Sequence, residues 1–316
     1  MLIWGHVSSQ SILSSSGVGL YYSFPDSRFM GMGGVSVAIS SYYSPPRINP
    51  AAYHNINSTI ISIQGLSTLY NTTNGEEKIL SDNSNINGFD FYVPVSNRAG
   101  VSTGIPPLTR RGYHIVYHNQ IDSESYDKSV TGSGGLNSYY VSFKWTLFSS
   151  LSLGITGKYI FGTLEDKIVV DYENASFKSS KYNYSRSNSG FGYSMGLYYT
   201  PAQSFSIGAV FTPSVEINSS SSFTRYSSTE YLSSEEDIDG TITLPRSYRI
   251  GMAWRLSPLV LTGIEYGARD WQQLQIDDRD ITNTVSVNRY ALGAEFFSSL
   301  NPSAKNKKKI AYRVGY

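Results

Sequence analysis

Long segments of this chain alternate between apolar and polar residues, which limits them to extended strands with two different faces. In 138–147, the side chains of Tyr139, Val141, Phe143 and Trp145 fall on one face and mostly polar side chains fall on the other. A period of two residues predicts β-strand. The pattern returns in 151–161, 190–200, 204–217, 246–254 and 288–297. These segments exceed the usual length of about five or six residues for strands and suit strands tilted across a membrane.

The connections between these segments alternate in length. Short ones lie at 96–100, 148–150, 201–204 and 255–258, and long polar ones lie at 71–86, 122–136, 165–189, 218–238 and 271–283. Bacterial outer-membrane barrels have short periplasmic turns and longer outer loops, whereas a soluble sheet has no reason to place its long loops at one end. The sequence therefore predicts an all-β fold, a transmembrane antiparallel β-barrel.

With short and long connections alternating in this way, the sequence predicts eleven strands. Their expected bounds are 57–70, 87–95, 99–121, 137–147, 151–164, 190–200, 204–217, 240–254, 259–270, 285–297 and 309–316. Bacterial single-chain barrels usually have an even number of strands, so we expect a truncated C-terminus. In the alternative interpretation, Ile310, Tyr312, Val314 and Tyr316 form the final strand. Residues 1–11 are too short and uncharged for a whole secretory signal and are interpreted as the remnant of a signal peptide or leader, with an arbitrary start in an incomplete gene as the alternative.

Composition excludes several other classes of protein. The 316 residues carry a net charge of +1 and only 16% are charged, which argues against a nucleic-acid binder. No run approaches about 18 apolar residues, so no transmembrane helix is predicted. Because the chain has no cysteine, it has no disulfide framework, cysteine-based zinc site or cysteine nucleophile.

Residues suited to catalysis or metal binding do not form a recognisable site in the sequence. His114 and His118 share a strand face but lie about 13 Å apart at the usual rise per residue, too far to bind one metal ion. No Gly-x-Ser-x-Gly motif occurs with a plausible order of His and Asp. We therefore expect no enzyme activity, no metal and no cofactor.

Residues 12–55 lack clean alternation and are interpreted as a plug inside the barrel that 56–316 form. The segment is rich in Gly and Pro. Irregular backbone is tolerated at membrane depth where it is buried in protein. Apolar residues such as Phe29, Met32 and Val35 favour a packed plug over a loose periplasmic leader.

Two adjacent prolines interrupt the predicted third strand, 99–121. Proline cannot donate a ladder hydrogen bond, so it is confined to edges, strand starts and bulges. Pro106 and Pro107 therefore predict a kink at which pairing with a neighbouring strand opens. A plain turn that adds one more strand is the alternative, but it would break the alternation of loop lengths.

Charged residues fall on the strand faces predicted to line the lumen. They are Lys144, Lys158, Glu216, Arg249, Glu265, Arg269, Arg289 and Glu295. A charge at membrane depth is costly unless it faces water or a partner. Mutual ion pairs that stiffen the barrel or hold the plug are the simpler interpretation. In the other interpretation, one of the cations Lys144, Lys158, Arg249 and Arg289 binds the carboxylate of a ligand.

The plug resembles the N-terminal hatch of the FadL family of outer-membrane transporters for long-chain fatty acids and other hydrophobic compounds. Residues 27–38 read Ser-Arg-Phe-Met-Gly-Met-Gly-Gly-Val-Ser-Val-Ala, and the family's hatch motif Asn-Pro-Ala stands at Asn49, Pro50 and Ala51. Weaker matches at 91–95, 134–136, 151–154 and 245–251 extend the resemblance over nearly the whole chain. The acidic pair usual before Asn-Pro-Ala is replaced here by Ser-Tyr-Tyr at 41–43.

This resemblance implies a 14-stranded barrel with an N-terminal hatch, of which the chain would hold about eleven strands. It also implies a lateral opening at the kinked third strand, formed here by Ile105, Pro106, Pro107 and Leu108. We accordingly expect a monomeric channel in the bacterial outer membrane, in contact with outer-membrane lipid and not with nucleic acid. Its expected function is passive uptake of hydrophobic molecules such as long-chain fatty acids, with lateral exit at the kink.

FadL-like barrels also include secretion-shuttle proteins, so a protein-interaction barrel at the cell surface is the alternative function. A narrow apolar tunnel through the barrel would favour transport. A closed lumen beneath well-ordered, apolar outer loops would favour the shuttle.

Overall fold

A computed structural model of the chain describes residues 17–21, 26–41, 45–73, 78–121, 124–172, 178–227, 230–277, 279–280, 285–298 and 310–316. The predicted leader, 1–11, lies outside these ranges. Among the described residues, no helix has the length and apolar character needed to cross a membrane.

Antiparallel strands make up most of the described chain. The first nine are β1 Leu20–Tyr21, β2 Ile60–Thr73, β3 Lys78–Pro94, β4 Ala99–Gly104, β5 Thr109–Ile121, β6 Glu124–Phe148, β7 Leu151–Tyr172, β8 Ser180–Ala202 and β9 Phe205–Thr212. The others are β10 Val215–Ser227, β11 Glu230–Leu244, β12 Ser247–Ser257, β13 Val260–Arg269, β14 Gln275–Ile276, β15 Arg279–Asp280, β16 Val287–Phe297 and β17 Ala311–Gly315. One helix, α1 Ser27–Gly31, and 3₁₀ turns at Pro50–Ala52 and Trp271–Gln273 complete the described elements.

Each long strand pairs with its neighbours along the chain, as in an up-and-down barrel. Strands β4 and β5 both pair with β6, and β9 and β10 both pair with β8, so each pair acts as one interrupted pass. Strands β11 and β12 likewise form one interrupted pass, because β11 pairs with β10 and β12 pairs with β9. Counted in this way, strands β2 to β13 together with β16 and β17 make eleven passes in the described part of the chain, which confirms the predicted count.

The outward surface is apolar and ringed by aromatic side chains. On β6, Tyr139, Val141, Phe143 and Trp145 are exposed, whereas the residues between them are buried. Tyr139 stands opposite Tyr159 of β7 in the strand register, and Tyr159 stands opposite an aromatic residue of β8. The aromatic residues of this ring are Tyr139, Tyr159, Phe191, Tyr248, Tyr266 and Tyr290. An apolar band with an aromatic girdle is the lipid-facing surface of an outer-membrane barrel.

The predicted lumen position of Glu216 is wrong. Glu216 is exposed, and its neighbours Val215 and Ile217 are buried. The predicted strand 204–217 is interrupted at Pro213, between β9 and β10, and proline cannot donate a ladder hydrogen bond. The interruption shifts the phase of the alternation by one residue, and such a shift exchanges the two faces of a strand.

Most residues of the predicted long loops instead continue the strands. Segments 124–136, 165–172, 180–189 and 218–227 belong to β6, β7, β8 and β10. Beyond the lipid both faces of a strand contact water, so the hydropathy alternation fades while the backbone ladder continues. At about 3.3 Å per residue the 25 residues of β6 span roughly 80 Å, well beyond a hydrocarbon layer of about 30 Å. The sheet therefore projects from one side of the membrane.

Residues 26–41 and 45–56, called here the inner segment, pack against the inward faces of the strands. Met32, Val35 and Ala38 are buried in one cluster with Ala253 of β12 and Leu261 of β13. The approach is close, because a Cβ atom at Gly208 of β9 would contact the carbonyl oxygen of Val37, and one at Gly293 would contact that of Met32. Glycine at these strand positions therefore leaves room for the inner segment.

Candidate functional site

The wall of the barrel is interrupted at the two adjacent prolines. Between β4 and β5, pairing with β6 continues, since Ser138 N–H donates to Pro106 O (3.0 Å) and Leu108 N–H donates to Leu136 O (2.8 Å). On the other side, the last hydrogen bond between this strand and β3 is the one that Ile105 N–H donates to Phe89 O (3.0 Å). The kink therefore separates the strand from one neighbour only.

Beyond this hydrogen bond, the kinked strand separates from β3. Strand β3 pairs with β4 through residues 90–94, and within the described residues no ladder joins its earlier part to β5. The short strand β1 lies against the start of β5 instead, with Leu20 opposite Arg110 and Tyr21 opposite Thr109. Half of the side chain of Ile105 is exposed on the outer surface, and Leu108 packs against an apolar cluster inside. The two residues thus stand on opposite sides of the wall at the kink.

A small internal cavity adjoins the kink. It holds about 100 Å³, and its lining includes Tyr21, Pro106, Pro107, Leu108, Lys158 and Arg269. A second cavity of about 180 Å³ shares Tyr21, Arg249 and Arg269 with the first and extends to Trp271 and Arg289. Apolar kink residues and cationic strand residues therefore face the same internal space.

Two of the predicted lumen cations are already paired. Arg249 and Arg289 lie 3.4 and 3.6 Å from Oε1 of the buried Glu265. The other oxygen of this carboxylate accepts hydrogen bonds from the backbone N–H groups of Ser36 (2.7 Å) and Val37 (3.0 Å). Glu265 therefore joins the two arginines to the inner segment.

Lys158 and Arg269 face the first cavity without such a counter-charge. In the described part of the chain, no carboxylate lies within ion-pair distance of either side chain. The guanidinium of Arg269 lies over the ring of Tyr21, 3.3 Å from its centroid, and 5.7 Å from that of Trp271. The cavity beside the kink is therefore both cationic and aromatic.

Lys144 lies elsewhere, near the periplasmic turn after β6. Its side chain is buried, and it neighbours His54 of the inner segment, whose Nδ1 lies 2.7 Å from Ser152 Oγ. Burial, and then the ammonium of Lys144, lower the pKa of His54, against a weaker opposing effect of a hydrogen bond that the imidazole donates to the backbone of Ser149. The structure therefore separates Lys144 from the other three predicted cations.

The Asn-Pro-Ala residues lie between the inner segment and the wall. The side-chain amide of Asn49 donates to Val37 O (2.7 Å) and to Leu197 O of β8 (3.0 Å). Its Oδ1 accepts from Ala51 N–H (3.0 Å) and so caps the 3₁₀ turn Pro50–Ala52. Pro50 fits against the wall where Gly154 and Gly196 have no side chain. These contacts join the motif to β7 and β8.

Two further buried ion pairs were not predicted from the sequence. Arg28 of α1 donates to Glu295 of β16 (2.5 Å), which also pairs with Arg313 of β17 (2.7 Å). Arg47 pairs with Asp90 of β3, which also accepts from Tyr140 O–H (2.8 Å). Only the alternation marked Glu295 as inward, and nothing in the sequence indicated its partner.

Comparison with known proteins supports this architecture. Residues 2–316 match the model of the family described as BamG. No curated protein matches the chain. Among solved structures, the chain is similar to a FadL homologue of Pseudomonas aeruginosa (12% identity, 89% of this chain and 78% of that chain, TM-score 0.57).

Two toluene transporters are similar to a comparable degree. TodX of Pseudomonas putida has 12% identity, 95% and 84% coverage of the two chains and a TM-score of 0.56. TbuX of Ralstonia pickettii has 12% identity, 87% and 82% coverage and a TM-score of 0.51. At this identity the likeness concerns the fold, and it confirms the predicted FadL-like barrel. The matching family model, however, is described as BamG and not as FadL.

Proposed function

We propose that this chain, which belongs to the BamG family, is an outer-membrane channel for the passive passage of hydrophobic molecules with an anionic headgroup. The observation that carries the proposal is the kink, where the wall separates from β3 directly beside an internal cavity. The similar solved structures include transporters of toluene, a hydrophobic small molecule. Long-chain fatty acids combine a hydrophobic chain with a carboxylate and are the ligands we propose.

The exit in this proposal is the interruption between β3 and β5. Unpaired backbone groups cost several kcal/mol each in lipid, so a barrel keeps such an interruption only where other groups satisfy them. Leu108 on the inner side and Ile105 on the outer side supply apolar contacts for an alkyl chain that leaves sideways. The channel needs no energy source, because the ligand moves down its concentration gradient into the membrane.

Lys158 is the predicted cation best placed for the ligand carboxylate. It faces the cavity beside Pro106 and Pro107, and Arg269 faces the same space. Arg249 and Arg289 are engaged by Glu265, and Lys144 lies near the periplasmic turn. We therefore assign the binding of the carboxylate to Lys158 and Arg269, and the attachment of the inner segment to Arg249 and Arg289.

The inner segment acts as the hatch in this proposal, with Asn49, Pro50 and Ala51 as its contact to the wall. It packs against β7, β8, β9, β12 and β13, and the two cavities described beside the kink, of about 100 and 180 Å³, are smaller than a long-chain fatty acid. A ligand therefore passes only when part of this segment moves.

The double substitution Pro106→Val and Pro107→Val tests the exit. Valine favours a regular strand and restores the ladder donor, so the interruption narrows and uptake of labelled long-chain fatty acid slows. The assay uses bacterial cells that lack their own fatty-acid channel, with heat-modified mobility to show that the barrel is folded. Pro213→Val is the matched control, because Pro213 interrupts a different pass, which β6, β7 and β8 separate from β5 in the wall. Equal uptake by a folded double variant and the control would refute lateral exit here.

One observation favours the alternative function, a secretion-shuttle or protein-interaction barrel at the cell surface. The strands β6, β7, β8, β10 and β11 project beyond the membrane as a continuous sheet. Shortening the β10–β11 hairpin by removing 221–238 separates the two functions. A channel keeps its fatty-acid uptake after this deletion, whereas a barrel that works through its projecting sheet loses the binding of its partner protein.

A further inference from the structure

A polar groove lies on the outer surface of the wall, next to the interruption. It holds about 650 Å³ and is lined by β5, β6 and β7, with Asn85 of β3 across the interruption. The side chains that line it include Arg110, His114, Thr131, Ser133, Asn137 and Thr163. On β6 and β7 they alternate with the buried Leu136 and Leu164, so they face outward. The groove is therefore separate from the internal cavities.

Glycine residues form the floor of this groove. Gly134, Gly135 and Gly162 have φ angles of 99°, 149° and 153°. A Cβ atom at Gly135 would contact the carbonyl oxygen of Thr109, and one at Gly162 would contact that of Gly135. A side chain is therefore excluded at these positions, and the backbone itself lines the space.

The end of the groove formed by Asn137 and Thr163 lies at the level of the lipid headgroups. Asn137 is two residues along β6 from Tyr139 of the aromatic girdle, and Thr163 is four residues along β7 from Tyr159. At about 3.3 Å per residue, these positions lie roughly 7 to 13 Å beyond the girdle along the strands. Aromatic girdles mark the boundary between the hydrocarbon layer and the headgroups. A groove just above it on the outward face therefore opens toward headgroups and not toward acyl chains.

The chemistry of the groove suits a phosphate. Arg110 is oriented by a hydrogen bond to Asn137 Oδ1 (3.0 Å), and His114 Nδ1 lies 2.7 Å from Thr131 Oγ1. A guanidinium binds phosphate oxygens in two parallel hydrogen bonds, and hydroxyl groups add neutral donors. In the strand register, Glu165 and Lys167 of β7 stand opposite Ser133 and Thr131. We propose that this groove binds the phosphorylated headgroup of a glycolipid in the outer leaflet.

Binding of lipid A to the purified protein in detergent micelles, followed by native mass spectrometry, tests this site. The wild type is expected to retain diphosphorylated lipid A in preference to phosphatidylethanolamine. Ser133→Trp fills the groove, and Arg110→Gln removes its guanidinium, and each is expected to weaken lipid A binding by about tenfold. Ser185→Trp is the matched control, because Ser185 lies in the same cross-strand row through Glu165 but outside the groove.

The outcomes distinguish a site for a lipid headgroup from a site for free phosphate and from general adhesion of lipid. Loss of binding in Ser133→Trp and Arg110→Gln, with normal binding in Ser185→Trp, supports the proposal. Binding of lipid A no stronger than that of phosphatidylethanolamine overturns it, as does unchanged binding in Ser133→Trp. Displacement of lipid A by millimolar inorganic phosphate alone would also overturn it, because the groove would then be a site for the free anion. Fatty-acid uptake does not enter this test, so its result is independent of the proposed channel.

Discussion

The substitution Arg28→Met is expected to weaken the attachment of the inner segment to the barrel. Arg28 donates to the carboxylate of Glu295 through both Nε and Nη2, and the side chain of Glu295 has no exposed surface. Removing one partner of a buried ion pair usually costs about 3–5 kcal/mol, because the other charge stays buried without compensation. Arg313 still neutralises Glu295 from a partly exposed position (2.7 Å). We therefore expect a loss of about 2–3 kcal/mol, below the usual cost for an isolated pair.

Equilibrium unfolding in urea, with the barrel refolded in micelles, measures this loss, and proteolysis within 26–56 shows whether the inner segment detaches first. Arg313→Met is the matched control, since it removes the more exposed partner and should cost less. A stability of Arg28→Met within about 0.5 kcal/mol of the wild type, together with unchanged protease protection, would refute the reasoning, because such small changes are typical of surface substitutions.

Two other predictions concern the same segment. Burial lowers the pKa of His54 below its value of about 6.5 in the unfolded chain, so protons bind the unfolded state first and the free energy of unfolding falls as the pH drops below about 6.5. Equilibrium unfolding at pH 8 and at pH 5 measures this fall in the free energy of unfolding. The fall should be smaller in His54→Gln, and a wild type equally stable at both pH values would contradict the reasoning. Gly208→Val should displace the inner segment and cost about 1–3 kcal/mol, whereas Gly157→Val, with open space around its Cβ position, should be tolerated. Equal stabilities of the two glycine variants in urea would contradict the close approach.

Much of the barrel could be predicted from the sequence, because a membrane imposes a regular pattern on every strand that crosses it. Lipid on one side and a packed lumen on the other produce the alternation around Tyr139 and Trp145. The eleven passes and the kink at Pro106 follow from that pattern and from the missing donor of proline. Where the physical environment is the same on both faces, as in 124–136, the signal vanishes although the strand continues.

Long-range contacts could not be predicted in the same way. The phase change at Pro213 reverses the faces of β10, so Glu216 was placed on the wrong side by extending the alternation through it. The pairing of Arg28 with Glu295 joins residues 267 positions apart, and no local pattern relates them. For the predicted lumen cations, the position of each residue in its strand indicated that they share the lumen face. Their separation into paired and unpaired groups depends on Glu265, whose contact with Ser36 and Val37 only the folded chain creates.

The most direct measurement of lateral exit is fatty-acid uptake before and after chemical modification at the kink. The chain has no cysteine, so Leu108→Cys carries the only thiol, on the inner side of the wall beside the interruption. Modification with a bulky thiol reagent is expected to abolish most of the uptake, whereas modification of Val141→Cys on the lipid-facing surface leaves it unchanged. Full uptake by completely modified Leu108→Cys would contradict passage through the kink.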